Sequence, residues 1–306
     1  MDRVVLEGDV NELTANDSTR RERFRWPALE LLGSDLCTTR TTKEEAEMTR
    51  GIRGRVALVT GGASGIGRVT AQVFAREGAK VVVTDANIEG GEATTRLIKK
   101  ARGEATFIRC DVSEAKDVEA TVSKAVEIYG ALDYAFNNAG IGPDGKRVPV
   151  LPIVDCPEEL WNRMIAINLT GVFLCMKYEM RQMLKQKYGA IVNTSSIGAL
   201  KALPGFGAYC ASKTGLFGLT KAAALEGATS GIRVNAICPA LTVRTLLYEN
   251  LTRAQPDVKE HMADLVPMKR LAEPEEMAEA VIWLCSDAAS FVTGHIMPID
   301  GGMTSM

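Results

Sequence analysis

The stretch Thr60-Gly61-Gly62-Ala63-Ser64-Gly65-Ile66-Gly67 follows a short apolar run, Val56-Ala57-Leu58-Val59, and opens an amphipathic stretch from Gly67 to Glu77 that Gly78 closes. The pattern is that of a strand, a tight turn and a helix. Its glycines let the backbone bend sharply and approach a ligand, and a pyrophosphate held there lies at the positive end of the helix. A glycine-rich turn alone is a weak signal, because tight strand-to-helix turns in other α/β proteins need the same residues.

The alternation continues along the chain. Lys80 to Thr84, Thr106 to Cys110, Leu132 to Phe136, Ala190 to Thr194, Arg233 to Cys238 and Ile296 to Ile299 are further apolar runs of strand length, with helix-like stretches between the earlier ones. Such a series implies an α/β fold, a Rossmann-type doubly wound parallel sheet flanked by helices on both faces in a single domain. The domain is expected to span residues 51–306. Residues 1–50 show no sustained periodicity and mix both charge signs with Asn, Ser and Thr, so an N-terminal extension, disordered or loosely packed, is expected there. Asp2, Glu7, Asp9 and Glu12 argue against a transit peptide, and no apolar signal core follows them. The cluster Arg20-Arg21-Glu22-Arg23-Phe24-Arg25-Trp26 reads either as a docking element or as solvated surface, and Met48 is a candidate alternative start.

The 306 residues are 46% hydrophobic and 24% charged with a net charge of −2, which leaves no field to attract nucleic acid or an anionic membrane. Apolar runs such as Ala278 to Cys285 fall short of the roughly 20 residues of a membrane span. A soluble, cytoplasmic protein is expected. Seven cysteines (Cys37, Cys110, Cys156, Cys175, Cys210, Cys238 and Cys285) stand singly with no C-x-x-C pair, so they read as reduced, buried residues with no disulfide and no metal site.

Asp85 lies 18 residues beyond Gly67, directly after the second strand, where a carboxylate can accept both ribose hydroxyls of an adenosine. The same charge repels a 2′-phosphate, and neither Ser64 nor Ala86 offers a cation, so NAD is favoured over NADP. Further along, Tyr209 and Lys213 are spaced i, i+4 and share one face of a helix. An ammonium close to a phenol favours the phenolate, which lowers the tyrosine pKa toward proton exchange with a substrate alcohol. Such pairs are common on exposed helices. What singles this one out is the fifth strand, whose end Asn193-Thr194-Ser195-Ser196 reaches the carboxyl edge of the sheet, where ligands of open α/β folds bind.

Together these residues resemble the short-chain dehydrogenase/reductase family, in its single-domain branch, from about Gly54 to Met306. The motifs occur in family order: T-G-x-x-x-G-I-G at Thr60 to Gly67, Asp85, Asp111-Val112, Asn137-Asn138-Ala139-Gly140, Asn168 in Ile167-Asn168-Leu169-Thr170-Gly171, Ser196, and Y-x-x-x-K from Tyr209 to Lys213. The end, Gly294 to Gly302, is similar to the family's last strand and turn. The resemblance implies a hydride transfer between NAD(H) and a secondary alcohol or ketone, with Tyr209 as general acid/base. Lys213 would lower the tyrosine pKa and hold the nicotinamide ribose, Ser196 would hold the substrate oxygen, and Asn168 would support a water relay. Gly61, Ser64, Gly65, Ile66, Gly67, Asp85, Asp111, Val112, Asn138, Tyr209, Lys213 and Thr242 would line the cofactor site. Asn137 is expected to tie the central strands, and Ser195 to satisfy backbone groups.

The sequence departs from the family after the sixth strand, where Pro239-Ala240 replaces Pro-Gly and threonines stand at both 242 and 245, which leaves open which of them caps the carboxamide. A substrate lid is expected near 242–268, carrying Leu246, Leu247, Tyr248, Leu251 and Met262 over a mainly apolar pocket; Phe206 and the Gly142 to Pro152 loop read first as surface-loop packing and second as a border of that pocket. An extended-branch epimerase would carry a glycine where Ser64 stands, and a trans-enoyl reductase would set six residues between tyrosine and lysine. A non-catalytic dinucleotide sensor acting through a partner is the alternative of another class. The family implies a homotetramer, with the helices around Glu158 to Lys187 and Tyr209 to Ala228 in contact.

Overall fold

Branched and small apolar residues alternate between two buried faces from Val56 onward. In the computed structural model, which describes residues 51–254 and 261–305, Ala57 and Val59 pack on one side of the sheet and Val56 and Leu58 on the other. The elements are β1 (Val56–Thr60), α1 (Gly65–Arg76), β2 (Lys80–Asp85), α2 (Ile88–Lys100), β3 (Glu104–Arg109), α3 (Ala115–Tyr129) and β4 (Tyr134–Asn137). There follow α4 (Glu158–Ile165), α5 (Gly171–Gln186), β5 (Gly189–Thr194), α6 (Gly207–Gly227), β6 (Ile232–Pro239), α7 (Leu246–Ala254), α8 (Pro274–Cys285) and β7 (Ile296–Ile299).

All seven strands are parallel, in the order β3-β2-β1-β4-β5-β6-β7. One face is covered by Phe74 and Ala71 of α1 with Val281 and Ile282 of α8, the other by Val122 of α3, Val172 and Met176 of α5 and Leu216 of α6. The doubly wound sheet is therefore as expected, and β1, β4 and β5 are buried at every residue. The winding reverses between β1 and β4, which opens a crevice at their carboxyl ends.

Two strand starts differ from the expectation by two residues, and other ends by one. β3 starts at Glu104, two residues early, because its pairing with β2 runs from Lys80↔Glu104 to Asp85↔Arg109 and takes in polar edge residues that hydrophobicity does not mark. β4 starts late, at Tyr134. Gln186 takes the N–H and the carbonyl of Leu132 at 3.0 and 2.8 Å, so a side chain occupies that backbone. The Asp133 N–H, by contrast, donates to the Val56 carbonyl and its carbonyl accepts from the Ala190 N–H, both at 3.0 Å, while its carboxylate accepts from the Val56 N–H and Arg55.

The expected long helix from Glu158 is interrupted by a single π turn, Ala166–Thr170, with Asn168 buried inside it. Such turns widen a helix by one residue and often mark functional positions. Among the described residues no helix is long and apolar enough to cross a membrane, and no group of side chains suits a metal ion. Among the described residues six cysteines are free thiols; Cys110, Cys175, Cys238 and Cys285 are buried as expected, whereas Cys156 and Cys210 are half-buried. The extension 1–50, Met48 and Cys37 lie outside the described residues.

Candidate active site

A cavity of about 630 Å³ occupies the crevice, and it is lined by Gly61, Ser64, Gly65, Ile66, Asp85, Asp111, Val112, Asn138, Ser196, Tyr209, Lys213, Thr242 and Thr245. Of the anticipated residues, only Gly67 and Asn168 stand behind its wall.

The glycine turn makes a cradle. Gly61 has φ +67°, and a Cβ there would lie 2.8 Å from the Ala139 Cα and 2.9 Å from Nδ2 of Asn138; one at Gly67 would lie 2.2 Å from the Gly61 carbonyl oxygen. Side chains at either position are excluded, so the turn stays bare and closely packed, with the Gly61 backbone facing the cavity. Ser64 caps α1 without a side-chain hydrogen bond, which leaves first-turn N–H groups open toward an anion. The Asp85 carboxylate accepts from the N–H groups of Ala63 at 3.0 Å and Asn87 at 2.8 Å, one on each oxygen, and each oxygen keeps a further lone pair. Thr60 Oγ1 accepts from the N–H groups of Asn138 and Ala139, and Asn138 Nδ2 reaches back to the Thr60 and Gly61 carbonyls at 3.3 and 3.4 Å. These bonds lock the end of β4 to the turn. Together the cradle, the open helix terminus and the paired acid suit a dinucleotide.

At the other end α6 places Tyr209 and Lys213 on its inward face. Lys213 is 4% exposed and donates from Nζ to the Thr194 carbonyl at 2.7 Å, with its ammonium 6.0 Å from the centre of the Tyr209 ring. Burial pulls the Lys213 ammonium down to about 8. Burial also pushes the Tyr209 phenol up, while a hydrogen bond with Ser196 pulls it the other way. The lowered tyrosine pKa anticipated from the sequence is thus not met in this arrangement. Desolvation disfavours the charged form of both groups, and the lysine is spent on a backbone carbonyl rather than on the phenol.

Ser196 begins a 3-10 turn and accepts from the Gly198 N–H at 3.0 Å, and Ser195 donates to the Lys213 carbonyl at 2.8 Å, a backbone role as expected. Asn168, aimed inward by the π turn, accepts from the Ile141 N–H and donates to the Ile141 carbonyl, both at 2.8 Å, and donates to Ser212 at 3.2 Å. Its Oδ1 and the Lys213 Nζ converge over Gly140, where an added Cβ would lie 3.1 and 3.4 Å from them. Asn137 ties the strands, donating to Asn193 at 3.1 Å and to Glu179 at 2.9 Å. Asp111 borders the cavity while its carboxylate accepts from the N–H and hydroxyl of Ser113.

Thr245 caps α7, accepting from the Tyr248 N–H at 3.2 Å and donating to the Thr242 carbonyl at 3.0 Å; Thr242 donates to the Ala240 carbonyl at 3.0 Å and keeps its acceptor capacity. Leu246, Leu247, Tyr248 and Leu251 of α7 and Met262 close one wall, as anticipated, with Phe206 and Gly142 beside them. Residues 255–260 of the expected lid lie outside the described residues. Two features escaped the sequence: Arg147 and Arg163 also line the cavity, and a buried Asp144 binds α7 through Asn250 at 2.9 Å. The Asp144-Gly145 pair signals a turn, but nothing in the sequence joins it to a residue 106 positions away.

A family model described as "Enoyl-(Acyl carrier protein) reductase" matches residues 61–304. The chain is 42% identical over 265 residues to a cyclohexanol dehydrogenase of Acinetobacter sp., covering 85% of this chain and 99% of that protein. It is 43% identical over 252 residues to a cis-4-hydroxycyclohexanecarboxylate dehydrogenase of Sinomonas cyclohexanicum, covering 82% and 97%. An NAD+-bound xylitol dehydrogenase structure is 36% identical, covers 82% of this chain and 99% of its own, and superposes with a TM-score of 0.77. Motifs in order, a seven-stranded parallel sheet and these matches lead to one assignment: the chain belongs to the short-chain dehydrogenase/reductase family.

Proposed function

We propose that this chain oxidises a secondary alcohol borne on a ring to the ketone, or runs the reverse reduction, with NAD(H) as cofactor. The reading rests above all on Ser196, Tyr209 and Lys213 gathered at the wall of one cavity beside the glycine cradle. The relatives named for cyclohexanol and for hydroxycyclohexanecarboxylate support a ring alcohol. The Tyr209 to Lys213 spacing supports carbonyl chemistry over enoyl reduction.

When bound, NAD supplies the acceptor for the hydride. Tyr209 takes the hydroxyl proton as the carbon loses its hydride, and returns it in reduction. Ser196 holds the substrate oxygen beside the phenol. Lys213, anchored on Thr194, offers its remaining N–H donors to the nicotinamide ribose, and Asn168 fixes the Ile141 backbone while its Oδ1 keeps a lone pair for a water relay. Thr242, whose hydroxyl retains its acceptor capacity, would accept from the carboxamide. Asp85 receives the adenosine ribose hydroxyls and repels a 2′-phosphate. The alternative, a sensor without turnover, leaves this constellation without a use. The same reading includes a homotetramer, for which the exposed Phe173, Leu184 and Leu225 on α5 and α6 supply apolar surface.

Incubating the protein with NAD+ and a panel of cyclic secondary alcohols should raise absorbance at 340 nm, with no comparable rise for linear primary alcohols. Silence across the panel with NAD still bound would favour the sensor. Asp85→Asn, which keeps an oxygen acceptor but removes the charge, should erode the preference for NAD over NADP by roughly tenfold, about 1.4 kcal/mol. An unchanged ratio of kcat/KM for the two cofactors would place the selector elsewhere.

A further inference from the structure

Lys213 aside, the cations lining the cavity are Arg147 and Arg163. Arg163 lies exposed on α4 with no anchoring hydrogen bond among the described residues. Arg147 is fixed. Its partner Asp144 has a fully buried side chain, which accepts from the N–H groups of Lys146 at 3.0 Å, Arg147 at 2.6 Å and Val148 at 3.1 Å on Oδ1. On Oδ2 it accepts from Arg147 Nε at 2.6 Å and from Asn250 Nδ2 of α7 at 2.9 Å. Burial would push this carboxylic acid up, but the hydrogen bonds from Asn250, Arg147 and the loop backbone outweigh it and hold it below the usual carboxylate range.

Asp144 is thereby saturated, and Arg147 is engaged only through Nε. Its terminal Nη1 and Nη2 make no hydrogen bond among the described residues, and the side chain stays 41% exposed at the cavity wall. An apolar ring bound under Leu247 and Leu251 has no use for a guanidinium. Two open N–H₂ groups held in a plane by a bond through Nε match a carboxylate, which accepts in bidentate fashion. The acids that line the cavity, Asp85 and Asp111, belong to the adenosine end, whereas Arg147 is joined to the lid helix through Asp144 and Asn250.

We propose that Arg147, oriented by Asp144, receives a carboxylate on the substrate, so that the chain prefers a cyclic secondary alcohol carrying an acidic substituent over its neutral counterpart. The proposal builds on the ring-alcohol reading but is tested apart from turnover. Cyclohexanecarboxylate and cyclohexanecarboxamide have no hydroxyl to oxidise, and their binding is measured calorimetrically with NADH-loaded protein, whose reduced nicotinamide carries no positive ring.

Given the partial exposure of Arg147, the carboxylate should bind about tenfold tighter than the amide. Arg147→Gln keeps a donor for Asp144 and removes the charge; it should equalise the two probes, while Arg147→Lys retains part of the difference. Equal affinities in the wild type, no detectable carboxylate binding, or a preference that survives Arg147→Gln would overturn the proposal. A melting temperature measured beside each titration separates a lost carboxylate site from a loosened loop, since loosening weakens both probes alike. Failure of the ring-alcohol reading would show instead as absent NADH production with these binding differences intact.

Discussion

Replacing Tyr209 with phenylalanine should lower the rate of alcohol oxidation by about 10³-fold, within the range for removing a positioned acid/base, while the affinity for NAD stays unchanged. Only the phenolic oxygen is lost. The ring keeps its edge contact with Phe206, 6.3 Å between centres, and Ser196 still caps its own turn through Gly198. Oxidation requires the phenol to give up its proton first. Burial raises its pKa above the ordinary 10, so at neutral pH the reactive form is the minor one, and the wild-type rate should climb as pH rises from neutrality. Lys213 keeps its positive charge to about 8, so the charge near the ring fades in the upper part of that climb. Stopped-flow or steady-state absorbance at 340 nm across pH checks both points. The variant's residual rate should be flat with pH, and a variant keeping more than about a tenth of the turnover would remove Tyr209 from the acid/base role.

The parts of this site that were legible in the sequence are those fixed by short-range spacing. Tyr209 and Lys213 share a face because helix geometry puts i and i+4 together, and Gly61 and Gly67 are bare because a Cβ at either would strike backbone. The sheet was legible for a related reason: a parallel strand buried on both faces shows as an unbroken apolar run, as in Val56 to Val59. Where a side chain replaces ladder bonds, the boundary was lost, as at Leu132. The π turn at Asn168 was hidden because one extra residue in a helix barely disturbs a 3.6 period. The Tyr209 pKa was misjudged because spacing places two charges but not their solvation, and the structure buries both. Asp144 with Asn250, and Glu179 with Asn137, are contacts between distant segments, which local pattern cannot carry.

Glu179 leads to the second large effect, on stability. On α5 its side chain is turned fully inward, where Oε2 accepts from Asn137 Nδ2 and Oε1 has no partner. The Asn137 Oδ1 is also unpartnered. Two orphaned acceptors in one network are relieved when one of them gains a proton, and burial pushes Glu179 up to about 7 against a weaker opposing pull from Asn137. The folded-state value lies above the unfolded 4.5, so the protonated acid favours the fold fully below about 4.5 and that contribution is lost as pH rises through 7. At pH 8 the loss amounts to about 3 kcal/mol. Glu179→Gln removes the ionisation and supplies an N–H₂ for the Asn137 oxygen while its own oxygen keeps the Nδ2 bond. Its melting temperature should exceed the wild type's by on the order of 5–10 °C at pH 8, with the gap closing toward pH 5. The wild-type curve should fall across that interval and the variant's stay nearly level. Parallel curves would mean that Glu179 keeps one protonation state throughout, and that its orphaned oxygen is satisfied by something other than a proton.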